Sequence, residues 1–225
     1  MKLYVNGAAT TSRAVMAFCR AEKVPVEVIS VDLMRGAHHE AEFAALNPNR
    51  LVPVLVDEGF VLTESSAILR YLALKTKSSL YPADLRARAR VDELIAWFEA
   101  NFYKDFGFGY VYPQLFPHHA RGSEEGTQQA IEWGRTKSQQ WLAVLDEHFL
   151  GSGQAYLAGD KLSIADLFGA SILSLGELVG CNFERHANVD RWYRRIVALP
   201  SWTEINRSFE QFAATTRTRA CVPLY

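Results

Sequence analysis

Residues 51–74, LVPVLVDEGFVLTESSAILRYLAL, place the side chains best suited to chemistry at the start of a predicted helix. Glu64 precedes Ser65 and Ser66, and Ile68, Leu69, Tyr71 and Leu72 then recur at helical spacing, which marks one apolar face. Serines at a helix start accept orphan N–H groups. The first turn of a helix also carries free donors and a partial positive charge, so it attracts anions. An acid beside that tip holds a cation. A ligand with an ammonium and a carboxylate on one carbon is then gripped at both groups. Upstream, Val54-Leu55-Val56 and Phe60-Val61-Leu62 read as short strands joined at Asp57-Glu58-Gly59, residues that supply the dihedrals of a tight hairpin. Pro53 stands at the head of the first strand and cannot donate to a ladder. The residues alone leave both an edge strand and a cis turn open.

The elements that position this stretch follow from the flanking pattern. Residues 2–5 predict a strand, residues 12–22 a helix with Val15, Met16, Phe18 and Cys19 on its apolar side, and residues 26–31 a second, β-branched strand. Strand, helix and parallel strand form a right-handed βαβ unit. Residues 32–47 are polar and irregular, with one short helix expected at 40–46. With the hairpin and its helix the order is βαβ–ββα, which is thioredoxin-like. Residues 75–82, KTKSSLYP, read as a linker, and beyond Ala83 no strand signal competes with helix.

The fold class expected is therefore α+β with two domains: a thioredoxin-like domain over residues 1–77 and an all-helical domain over 87–225. Within the second, Val91, Leu94, Ile95 and Phe98 mark one helix, and Gly107 with Gly109 predicts a break or kink. Residues 118–126 read as a loop and 127–149 as a long amphipathic helix ended by residues 151–153. Ser163 with Asp166 three residues on, after Leu162, is a capping-box variant with half of a hydrophobic staple. Residues 167–179 carry few charges, as a central helix does, and two shorter helices, 188–198 and 201–212, flank Pro200.

The 225 residues suffice for a substantial core, and a formal charge of −1 gives no electrostatic reason to expect nucleic acid or an anionic membrane as partner. Cys19, Cys181 and Cys221 show no C-x-x-C pair and no metal spacing, so no metal is expected, and a reduced, cytoplasmic setting is. No apolar run approaches the ~20 residues that span a bilayer, and the N-terminus enters strand-like sequence without a signal core.

The phrases NPNRLVPVL, LTESSAILRYL and VDLMRGAHH resemble the glutathione transferases, most of all their theta-type branch. The resemblance implies a homodimer that binds glutathione as co-substrate, with Val52 pairing its backbone to the peptide ahead of a cis Pro53. It implies that Glu64 and Ser65 hold the γ-glutamyl amine and carboxylate and that His38 reaches the glycine end. For the residues by themselves, a plain helix cap and a solvated loop histidine remain open. Leu51 stands where relatives often carry a basic residue, so only its backbone, or the adjacent Arg50, serves there.

Such transferases lower the pKa of the glutathione thiol, because the thiolate is the nucleophile. Relatives carry a serine four residues before an arginine matching Arg13, and here that position is Ala9. Thr10 and then Ser12 are the candidate replacements, although Ser12 or Thr11 serves equally well as a helix cap, and loop N–H groups alone can stabilise a thiolate. An aromatic supply including Phe102, Tyr103 and Phe106 suggests the pocket for a small apolar electrophile, with the Tyr103 hydroxyl placed to polarise it. The resemblance also implies that the C-terminal tail lies over the active site. The function expected is conjugation or halide displacement; the competing class is a glutathione-binding module that has lost catalysis, for which Ala9 argues.

Overall fold

The computed structural model describes residues 1–151 and 153–225. Strands β1 (Lys2–Val5), β2 (Glu27–Ser30), β3 (Val54–Asp57) and β4 (Phe60–Leu62) form one mixed sheet in the order β2-β1-β3-β4. β1 and β2 are parallel, connected by helix α1 (Thr10–Ala21), while β3 runs antiparallel to both β1 and β4. The short α2 (Ala41–Leu46) and then α3 (Ser65–Lys75) complete this half. α1 begins two residues earlier than its apolar pattern predicts, because Asn6 closes the loop before it. The Asn6 carbonyl accepts from the Ala9 N–H at 3.1 Å and its Oδ1 from the Ala8 N–H at 3.0 Å.

The register decides where the helix tips meet. Tyr4 lies opposite Val54, so two residues further along β1 the loop at Asn6 comes beside Val52. Leu62 lies opposite Leu55, so two residues further along β4 Glu64 comes beside Pro53. The starts of α1 and α3 therefore share one end of the sheet.

In the helical half, α4 (Leu85–Trp97) passes into a segment of wider turns, Phe98–Val111, and then into α5 (Tyr112–Leu115). The break expected at Gly107 and Gly109 does not occur. A Cβ on Gly134 would lie 2.4 Å from the Gly109 carbonyl carbon, and one on Gly107 would lie 2.6 Å from the Tyr103 ring. These glycines permit close approach: Gly109 to α6 (Glu124–Val144), and Gly107 to the Tyr103 side chain. α6 starts at a Ser123 cap, three residues before the predicted start, and ends in another wide-turn piece, Leu145–Phe149. The stop expected at residues 151–153 includes Ser152, outside the described residues.

α7 (Ile164–Leu173) is buried at every position and continues as a tight 3₁₀ stretch, Ser174–Val179. α8 (Ala187–Val197), α9 (Pro200–Ile205) and α10 (Arg207–Thr216) follow, and the single helix expected at 201–212 is split at Asn206. α1 packs against α7 and α9, joining the halves. The C-terminal tail docks on the wide-turn segment, α5 and α6: Tyr110 donates to the Val222 carbonyl at 2.7 Å, the Val222 N–H to Gln114 Oε1 at 2.6 Å and Arg219 to the Leu115 carbonyl at 2.9 Å, and the Leu224 carbonyl accepts from Gln139 and Arg135. It is thus held beside α5, the helix that carries Tyr112, and among the described residues it makes no hydrogen bond to the tips of α1 or α3.

Candidate active site

The α3 tip is open. Glu64 is its N-cap residue, held at φ 63°, and no side chain caps the helix. A positive φ is costly for a residue with a Cβ and recurs where a ligand site dictates the backbone. The Glu64 side chain is exposed, whereas Ser65 and Ser66 are buried in the first turn. Beside them the Val52–Pro53 bond is cis. The Val52 carbonyl accepts from Thr11 Oγ1 at 3.0 Å, and its N–H meets no acceptor among the described residues. A buried residue with a spare N–H offers a strand-like edge to an incoming peptide.

Leu51 is exposed, with its carbonyl held by Asn47 Nδ2 at 2.8 Å, and Arg50 next to it is exposed as well. His38 is half-buried on a short turn, and its buried Nδ1 has no hydrogen-bond partner. Burial, then the neighbouring His39 and Arg50, push its pKa below the ordinary histidine value, so a neutral ring is expected at pH 7. The spare Nδ1 can then serve a polar group of a ligand.

At the α1 tip the three hydroxyls have separate partners. Ser12 is fully buried, and its Oγ accepts from the Asn6 N–H at 3.4 Å, closing the loop, so Thr10 is the hydroxyl of the pair with the partner chain described next. Thr11 is committed to Val52. Thr10 Oγ1 lies 3.3 Å from the Tyr112 hydroxyl, which lies 2.8 Å from the Tyr103 hydroxyl. Burial raises the pKa of both phenols, so they stay protonated and able to donate. Ala9 is the N-cap and contributes no cap.

Phe102 and Phe106 do not line this space. Both are wholly buried, with ring centroids 4.9 Å apart, in a ladder that includes Phe98 and Tyr110. Their spacing of four puts them on the core face of the segment. The opposite face carries Tyr103 and Phe108, with ring centroids 5.0 Å apart, and the cluster extends through Tyr112 to His119, also 5.0 Å apart, and to Phe116. Five-residue spacing is what a wide-turn helix aligns, a periodicity that a search at 3.6 misses. Among the sequence-predicted residues the structure thus brings Thr10 together with Tyr103, and Val52 and Pro53 with Glu64 and Ser65.

Sequence reasoning missed Arg13 as more than a landmark. One turn into α1 it is wholly buried and donates to Asn206 Oδ1 at 2.7 Å, Ser174 Oγ at 2.6 Å and the Ser171 carbonyl at 3.4 Å. Its guanidinium carbon stands 3.7 Å from the Phe209 ring centre. Nothing in the apolar period of α1 signals this.

Residues 1–74 match the model of the glutathione S-transferase N-terminal domain, and residues 103–200 that of the C-terminal domain. Glutathione S-transferase theta-2 of Rattus norvegicus is 35% identical over 205 residues, covering 88% of this chain and 81% of the relative. The Homo sapiens theta-1 enzyme is 34% identical over 201 residues, covering 88% and 82%. A crystal structure of human glutathione transferase theta-2 in complex with glutathione superposes with a TM-score of 0.82 at 29% identity, over 99% of this chain and 93% of that one. Likeness that spans the sheet, both helix tips and the helical half alike leaves one conclusion: the chain belongs to the glutathione S-transferase family.

Proposed function

We propose that this transferase clasps glutathione between the α3 tip and the cis-proline turn and activates its thiol at the start of α1. Ser65 and the free N–H groups of α3 hold the γ-glutamyl carboxylate and Glu64 the ammonium. The Val52 N–H pairs with the peptide, while His38, the Leu51 backbone and Arg50 serve the glycine end. The thiol loses its proton to solvent. The thiolate then attacks a small apolar electrophile, forming the C–S bond as halide leaves with its bonding pair, or as the π pair of an activated double bond shifts to the far atom, which takes a proton from solvent.

The observation that carries this reading is the Thr10–Tyr112–Tyr103 hydroxyl chain at the uncapped start of α1, next to Val52 through Thr11. A threonine hydroxyl oriented by a neutral phenol can donate to a thiolate, replacing the donor that Ala9 lacks. A hydrogen bond to a charged group is worth about 1.5–3 kcal/mol, roughly one to two pKa units. Ultraviolet absorbance of the bound thiolate, titrated against pH, tests it: the apparent pKa is expected at least one unit below that of free glutathione. A thiol titrating as in free glutathione would sink the catalytic reading and leave a binder.

In this reading residues 1–77 form the glutathione-binding domain and 87–225 the substrate domain. Tyr103, Phe108 and Tyr112 supply the apolar wall. Phe60, Val61 and Leu74 are exposed, with Phe60 against Tyr71, a patch suited to a homodimer interface that sedimentation would detect. The free cysteines suit a cytoplasmic setting.

A further inference from the structure

Arg13 is a buried cation with an incomplete set of partners. Its hydrogen bonds go to neutral oxygens, its Nε has no acceptor, and among the described residues no carboxylate forms an ion pair with it. The groups facing it come from every element packed around it. Ser171 lies on α7, and Ser174 and Glu177 on the 3₁₀ stretch. Tyr193 lies on α8, Trp202 on α9, Asn206 at the junction of α9 and α10, Phe209 on α10, and Tyr103 and Tyr112 come from the wide-turn segment and α5. Glu177 is the one acid acting on it, and that carboxylate is engaged by the Tyr193 hydroxyl at 2.5 Å. The remaining acid nearby in chain, Glu204, pairs with Arg20 at the far end of α1.

Burying an unpaired charge is expensive, and proteins usually avoid it by pairing or neutralising the group. Burial does lower the Arg13 pKa, to about 10, which still leaves the guanidinium charged at any working pH. Its field acts on Tyr112 and Tyr103, the phenols that orient Thr10.

We propose that the unpaired charge of Arg13, added to the N-terminal dipole of α1, supplies electrostatic stabilisation to the glutathione thiolate that the missing hydroxyl at Ala9 would otherwise give. The role presupposes that the sulfur sits at the start of α1, as proposed above. Arg13 does not touch it. A unit charge at a separation of ~10 Å in a medium of effective dielectric about 20 moves a pKa by roughly one unit. The rival account makes Arg13 a neutral clip between the two halves of the molecule.

Asn206→Asp separates the two. It places a carboxylate on the guanidinium without changing side-chain size, and an acid at the start of α10 is favourable for folding. If the charge of Arg13 acts on the sulfur, N206D raises the bound thiol pKa by about one unit. The kcat/KM profile then shifts to alkaline pH, with about a tenfold loss at neutral pH. The high-pH plateau and the melting temperature are retained. Asn206→Ser, which shortens the side chain and removes its hydrogen bond to Arg13 without adding charge, is expected to shift the thiol pKa far less. Should Arg13→Gln fold, it is expected to shift the thiol as N206D does. A wild-type complex with a lowered thiol pKa that N206D leaves unmoved, or that N206S moves equally, overturns the role of Arg13 and spares the proposed function. A wild-type protein that binds no glutathione overturns both.

Discussion

The start of α7 and the starts of α1 and α3 use similar residues to opposite ends. At α7 the Asp166 carboxylate, wholly buried, accepts from the Ser163 N–H at 2.8 Å, the Ser163 hydroxyl at 2.7 Å, the Leu157 N–H at 2.8 Å and the Trp192 indole at 2.9 Å. Burial still raises its pKa, against the combined pull of those bonds. At α4 and α6 single caps, Asp84 and Ser123, accept from Ala87 and Gly126. α8 borrows its cap, because Asp146 accepts from the Asn188 and Val189 N–H groups. α1 and α3 receive nothing comparable: the Ala9 side chain has no oxygen to offer, and the exposed Glu64 side chain makes no cap bond to its helix. At α4, α6, α7 and α8, where the helix has only to be stable, a side chain satisfies the first donors. At α1 and α3 they are left free, next to the cis-proline turn where a ligand can bring the acceptor.

The comparison can be broken most forcefully at Asp166. Asp166→Ala orphans two backbone donors, an indole and a hydroxyl, all buried, at about 1–3 kcal/mol each. Urea unfolding is expected to show a loss of at least about 4 kcal/mol, with glutathione affinity of the remaining folded protein unchanged. A loss below about 1 kcal/mol would mean that the closed start is not needed for the fold.

Glu64→Ala should do the reverse. Removing a charge-assisted bond to the ligand ammonium costs about 1.5–3 kcal/mol of binding, a 10- to 100-fold weaker Kd by calorimetry. Stability is expected to hold or rise slightly, since alanine at that tip replaces no existing cap. If E64A destabilises the fold while the folded protein keeps its glutathione Kd, the α3 tip is a structural start after all. Thr10→Val is the next step down. It keeps the shape, removes the hydroxyl from the Tyr112 chain, and is expected to lower kcat/KM at neutral pH about tenfold through a thiol pKa raised by roughly one unit. Equal losses in stability and rate would instead mark Thr10 as packing.

What was legible from sequence follows the reach of the interactions. The hairpin at Asp57-Glu58-Gly59 and the box at Ser163 and Asp166 are written within a few residues, so spacing reveals them. The choice between Thr10 and Ser12 depends on where α1 begins, and Asn6 sets that through bonds that no periodicity displays. Gly109 reads as a helix breaker until Gly134, twenty-five positions on, is seen pressed against it. Phe102 and Phe106 look like pocket residues beside Tyr103 until the wide-turn winding sorts them onto the other face. Arg13 was recognisable only as a family landmark, because its partners Ser174 and Asn206 lie more than 150 residues away.

The smallest and most informative change is Ala9→Ser. A serine at this N-cap can accept from an N–H of the first turn, worth about 1 kcal/mol of stability. Its hydroxyl hydrogen remains free to point at the sulfur, since a hydroxyl accepts and donates at once. If capping and thiolate binding are compatible, A9S should melt higher and also show a bound thiol pKa lowered by a further fraction of a unit, with kcat/KM at neutral pH rising a fewfold. If they compete, stability rises while kcat/KM stays level or falls, because the new oxygen occupies the donors that the sulfur had used. The first outcome would mean that Ala9 is a deficit partly covered by Thr10 and Tyr112. The second would mean that an empty cap is itself how this helix start binds a thiolate, which places the electrostatics of α1 ahead of any single hydroxyl.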